Sequence, residues 1–97
     1  MATYILLASF TEQGIRNVKD TTKRADAFRD LAKGSGASLK EIYWTLGQYD
    51  IIAIVEAPDE TAMTGLGLAP GKSGNVRTQT LRAFSQADMN GILAELT

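Results

Sequence analysis

Ser38-Leu-Lys-Glu-Ile-Tyr43-Trp44-Thr-Leu46-Gly47-Gln48-Tyr49-Asp50-Ile-Ile-Ala-Ile-Val-Glu-Ala57 is the stretch that decides the fold. Two runs rich in β-branched and aromatic residues, Ser38–Leu46 and Tyr49–Ala57, flank Gly47-Gln48, which is the pattern of a β-hairpin. Glycine at the first central position of a two-residue loop is the type II′ preference. That loop sets Leu46 opposite Tyr49, Trp44 opposite Ile51 and Ile42 opposite Ala53, all on one face with Val55. This face is wholly apolar and calls for helices to cover it. The other face carries Glu41, Tyr43, Thr45, Asp50, Ile52, Ile54 and Glu56, mixing carboxylates and hydroxyls with isoleucines and an aromatic ring.

On the N-terminal side of the hairpin, Thr3–Phe10 reads as a first strand, and Thr11-Glu-Gln-Gly follows it with Thr11 as a helix cap. Ala25, Phe28, Leu31 and Ala32 then recur at helical spacing after a cap at Thr21 or Thr22, and Gly34-Ser-Gly36 ends that helix. Its charged residues, Lys23, Arg24, Asp26, Arg29, Asp30 and Lys33, mix both signs and read as a solvated face. C-terminal to the hairpin, Asp59 caps a helix with Ala62, Met63, Leu66 and Ala69 on its apolar side, ending at Pro70-Gly71. Val76–Phe84 is a last strand. Ser85-Gln-Ala-Asp88 is a capping box that opens a terminal helix, with Met89, Ile92, Leu93 and Leu96 at positions i, i+3, i+4 and i+7.

The order β-α-β-β-α-β-α with one tight hairpin is that of an α+β fold of the ferredoxin-like, split βαβ type: an antiparallel four-stranded sheet with helices on one side and a C-terminal helix added. Residues 1–97 are read as a single domain. The sheet's second face is then uncovered, and Tyr43, Ile52 and Ile54 on it would form an apolar patch in water. Pressing two such faces together across a two-fold axis removes the patch, so these three residues are candidates for a homodimer interface. The alternative is a monomer whose terminal helix folds back over the face.

Composition narrows the chemistry. The 97 residues are 44% apolar and 22% charged, with ten Lys and Arg against eleven Asp and Glu, a net charge of −1. That balance supplies no field to attract a nucleic acid. No apolar run is long enough to span a bilayer, and Met1–Ser9 has no basic leader, so the expectation is a cytoplasmic protein with neither nucleic-acid nor membrane partners. Cysteine and histidine are both absent, which removes thiol and histidine nucleophile systems, disulfides and histidine-ligated haem. A metal site would have to rest on Glu41, Asp50 and Glu56, strand-edge carboxylates that more often are merely solvated; neither a metal nor an organic cofactor is expected. Gly71-Lys72-Ser73 hints at a phosphate loop, but Leu66 stands where the pattern needs glycine and the segment runs from helix into strand, so it reads as a turn.

The polar and aromatic residues near the hairpin are the candidates for a ligand site: Tyr43, Trp44, Tyr49 and Asp50, with Arg77 and Arg82 on the last strand. Trp44 and Tyr49 read first as core aromatics, Tyr43 and Asp50 as ligand or interface residues. Arg77 and Arg82 are separated by an odd number and so point to opposite faces. One is expected as an interface or helix-side salt-bridge partner, the other as reaching a pocket.

Thr3-Tyr4, Thr11-Glu-Gln-Gly-Ile15, Tyr43-Trp44-Thr45-Leu46-Gly47 leading into Tyr49-Asp50, Asn75-Val-Arg77-Thr78 and Thr80-Leu-Arg82-Ala-Phe84 together resemble the GYD-domain family of small, mostly bacterial proteins. The resemblance runs nearly the whole length; the namesake signature departs in reading Gly47-Gln48-Tyr49-Asp50. It implies a ferredoxin-like monomer whose sheet pairs with a second copy into a dimeric α/β barrel, and it implies no particular activity. Fold relatives range from cofactor-independent monooxygenases to ligand-sensing domains. Two readings of function stand. The first is a small-molecule-binding homodimer, including a cofactor-independent enzyme acting on a hydrophobic or aromatic metabolite. The alternative is a non-catalytic sensing or protein-interaction module.

Overall fold

The computed structural model describes residues 1–96. Its elements are β1 (Ala2–Phe10), α1 (Glu12–Arg16), a 3₁₀ turn (Val18–Asp20), α2 (Thr21–Gly34), β2 (Ser38–Trp44), β3 (Ile51–Ala57), α3 (Glu60–Lys72), β4 (Val76–Ala83) and α4 (Gln86–Ala94). The sheet has four strands in the order β2-β3-β1-β4, every neighbour antiparallel. This is the α+β, split βαβ arrangement that the order of elements predicts.

β1 alternates, as a strand covered on one face must. Tyr4, Leu6 and Ala8 are buried beneath the helices, while Ile5 and Leu7 between them are half-buried on the side that faces away. The core joins Tyr4 and Leu6 to Leu39, Ala53, Val55, Ala32, Met63 and Leu66, with Phe28 and Ile42 packed at its edge. Tyr4 is thus the core aromatic. Trp44, read from sequence as a core residue, is 41% exposed.

The hairpin keeps the expected pairs Ile42–Ala53 and Trp44–Ile51, but its loop is wider than two residues. The ladder closes where the Thr45 N–H donates to the Asp50 carbonyl at 2.8 Å and the Thr45 hydroxyl donates to the Tyr49 carbonyl at 2.6 Å. Leu46 therefore has no strand partner and is fully exposed, and Gly47 takes φ +105° at the tip. The register also shifts between Leu39 and Glu41. The extra residue, Lys40, makes a bulge that puts both Leu39 and Ile42 on the core side despite their odd spacing.

Helix ends follow side-chain chemistry with two departures. The Thr11, Asp59 and Ser85 side chains accept the N–H groups of Gly14, Ala62 and Asp88, and Ser85 with Asp88 forms the full capping box. α2 instead begins from Asp20 without a side-chain cap, because the preceding 3₁₀ turn leads directly into Thr21. α3 runs past Pro70 to Lys72. Pro70 has no N–H to give the Leu66 carbonyl; beyond it the last turn closes with the Ser73 N–H on the Ala69 carbonyl at 3.4 Å and the Ser73 hydroxyl on the Pro70 carbonyl at 2.8 Å.

α2 and α3 cover the core side of the sheet, and among the described residues no element covers the other side. α4 continues outward from β4, contains no buried residue and makes no packed interface with another element. It draws the molecule out to 52 Å in its longest dimension, with a radius of gyration of 14.6 Å against ~13 Å for a compact chain of this size. Among the described residues no helix is long and apolar enough to cross a membrane.

Candidate functional site

The residues singled out from sequence fall on both faces of the sheet. Tyr43 stands on the uncovered face, and its hydroxyl donates to Glu41 Oε2 at 2.7 Å. Glu41 accepts that hydrogen bond and repels a phenolate, which raises the Tyr43 pKa above the ordinary tyrosine value. Tyr43 is therefore held as a neutral phenol with its proton already engaged. Tyr49, expected among the core aromatics, reaches across β1 on the uncovered face, its hydroxyl 3.0 Å from Gln79 Oε1. Trp44 is on the core side, donating its indole N–H to the Thr21 hydroxyl at 3.0 Å.

Asp50 serves the backbone. Its carboxylate accepts the Phe10 N–H at 2.8 Å, and its own N–H donates to the Ala8 carbonyl at 2.9 Å. It thus ties the end of β1 to the start of β3 where the ladder stops. Arg77 and Arg82 do face opposite ways, opposite Ser9 and Tyr4 respectively. Arg82 lies on the core side, its guanidinium 4.4 Å from the Phe84 ring centre and 5.5 Å from that of Tyr4, donating to the Thr3 carbonyl at 3.1 Å. Among the described residues neither arginine makes a helix-side salt bridge within the chain. The ion pairs among the described residues, Arg16–Glu12, Lys23–Asp20 and Arg29–Asp26, are surface pairs on α1 and around α2, and Arg82 finds ring faces instead. Arg82 lines a shallow cleft beside Glu60 and Met63; the other five candidates line neither this cleft nor the one between α2, α3 and the sheet. The carboxylates Glu41 and Asp50 are engaged as described, and no group of three or more acidic, histidine or cysteine side chains gathers among the described residues.

What the structure does bring together is the uncovered face. Ile5 pairs with Ile54 on one side and Leu81 on the other, and Leu7 pairs with Ile52. These five side chains form a continuous apolar strip, with Tyr43 at its β2 edge. Ile52 and Ile54 are prominent in the sequence; Ile5, Leu7 and Leu81 join them only once the sheet order is known. Past the end of this sheet, α4 presents Met89, Ile92 and Leu93, each 39% exposed or more.

The Thr11-Glu-Gln-Gly segment has a different task. The Thr11 N–H and hydroxyl donate to the carbonyls of Asn75 and Gly74 at 3.1 and 2.7 Å, and the Gln13 amide donates to the Ser73 carbonyl at 3.1 Å. Gly14 lies so close to the Asn75 carbonyl that a Cβ there would overlap it. The segment clasps the turn between α3 and β4, where Ser73-Gly74 is a structural turn held from the far end of β1, while Gly71 and Lys72, expected in that turn, complete α3 instead.

A four-stranded sheet with helices on one face and an apolar strip on the other defines a small α+β domain of the split βαβ type. The chain belongs to the GYD domain family, whose pattern it matches over residues 4–93. It is similar to a Thermus thermophilus protein called "Glutamine synthetase and cystathionine beta-lyase binding protein", 31% identical over 90 residues that span 92% of this chain and 95% of that protein.

Proposed function

We propose that this chain is a non-catalytic protein-interaction module that acts as a homodimer in the cytoplasm, two copies meeting through the uncovered faces of their sheets. The observation that carries this reading is the apolar strip of Ile5, Leu7, Ile52, Ile54 and Leu81 with no element over it. Contiguous apolar surface of this kind in a small domain marks an association site, and a two-fold axis lets one strip cover its copy. α4 supports the same reading, because a nine-residue helix is marginal alone in water and needs a surface to pack against.

The polar groups favour binding over catalysis. Tyr43, Trp44 and Asp50 each spend their hydrogen-bonding group on a neighbour, which leaves none of the three poised to exchange a proton with a substrate. The name of the Thermus relative supports a metabolic enzyme as the partner and makes glutamine synthetase and cystathionine β-lyase the first to test.

The test is biolayer interferometry with each purified enzyme immobilised and the chain in solution, wild type beside Ile54→Asp. Saturable binding of the wild type to one of the enzymes, weakened at least about tenfold by Ile54→Asp, is the expected result. A folded, dimeric wild type that binds neither enzyme contradicts the choice of partner.

A further inference from the structure

Behind the sheet, on the side away from the apolar strip, a half-open cleft of about 320 Å³ lies between the core face, α2 and α3. Its origin is local: small side chains meet across the layers there, Ala8 and Ala53 from the sheet, Ala25 from α2 and Ala69 from α3. Phe28 and Ile51 line the space without filling it. The volume lies at the lower end of the ~300–1,000 Å³ typical of small-molecule sites, and the walls are apolar as in such sites.

One cation breaks that apolar wall. Arg24 lines the cleft, and its guanidinium is used on one side only: Nη1 donates to the Asn17 carbonyl at 2.9 Å, while Nη2 is buried with no hydrogen-bond partner. A buried donor on a charged group is costly to leave unmet. No carboxylate pairs with Arg24 among the ion pairs of the described residues. A single unmet cationic donor beside an apolar chamber is complementary to a ligand with one small anionic head and a compact hydrophobic body. Of the wall's other polar side chains, the Ser73 and Thr78 hydroxyls are spent on the carbonyls of Pro70 and Gly67, and Arg24 is its one cationic donor.

We infer that this cleft is a binding site for amphipathic monocarboxylates, the Arg24 guanidinium taking the carboxylate and the space between α2, α3 and the sheet taking the hydrocarbon. The site is built from the opposite side of the sheet to the self-association strip, so it stands or falls independently of the proposed dimer. It also contains its own reporter. Trp44 is the sole tryptophan, hydrogen-bonded to Thr21, which is itself on the cleft wall.

The test is titration of the intact chain with sodium octanoate and with octan-1-ol, followed by Trp44 fluorescence and by calorimetry. Octanoate binds saturably at one site per chain, about tenfold or more tighter than octan-1-ol, the margin set by one charge-assisted hydrogen bond. Arg24→Met abolishes that margin but retains octan-1-ol binding, which also shows that the variant is folded. Ala25→Phe fills the chamber and abolishes binding of both. Equal affinity of the wild type for acid and alcohol, a preference for acid that survives in Arg24→Met, or no saturable binding of either compound overturns the assignment.

Discussion

At Gly14 the chain has no room for a side chain. The Asn75 carbonyl occupies the space a Cβ would take and cannot retreat, because it accepts the Thr11 N–H. Gly14→Ala is expected to cost about 3 kcal/mol in chemical denaturation, the upper part of the range for forced overpacking; a loss below about 0.5 kcal/mol would show that the clasp yields. Thr11 is legible in the sequence as a cap, but the clasp is not, since its other half lies sixty residues downstream. Asp50 was visible as a polar residue at the hairpin, yet its role as the tie to Phe10 depends on β1 and β3 lying side by side. Arg24 departs from the solvated face that its charge suggests. It stands three residues after Thr21 and four before Phe28, on the inward side of its helix, but its charge grouped it with the solvated residues around it.

At the level of elements, hydrophobic spacing located all four strands and the main helices, and the hairpin pairs near Trp44 were set correctly by the glycine. What spacing could not show was the extra residue at Lys40 or the wide loop from Leu46 to Tyr49, because a bulge and a loop are decided by hydrogen bonds across strands. α4 carries its own titration. The Ser85 N–H donates to the Asp88 carboxylate at 3.0 Å and, with the Ser85 side chain beside it, holds its pKa below the ordinary aspartate value. A group whose pKa falls on folding stabilises above its unfolded pKa and loses that contribution as pH drops through the folded one. Amide exchange at Asp88 and Met89 is expected to stay constant from pH 7 to pH 5, after correction for intrinsic rates. The helix end should then open below about pH 4. Asp88→Asn should abolish that acid step, and an unchanged profile in the variant would assign the step to other carboxylates.

For the molecule as a whole, the order of elements was enough to give the sheet topology and the existence of an uncovered face. The apolar strip on that face is the property from which the proposed interaction role follows, and α4 deepens it, since neither is satisfied within one copy. The cleft was not legible, because it arises from alanines of β1, β3, α2 and α3 meeting in space, and no one segment reveals it. Sedimentation velocity tests the central claim most directly. The wild type is expected to sediment as a species of twice the 10.4 kDa chain mass, and Ile54→Asp as a folded monomer, a buried unpaired carboxylate being incompatible with an apolar interface. A wild type that remains monomeric at concentrations where it stays folded would contradict the account.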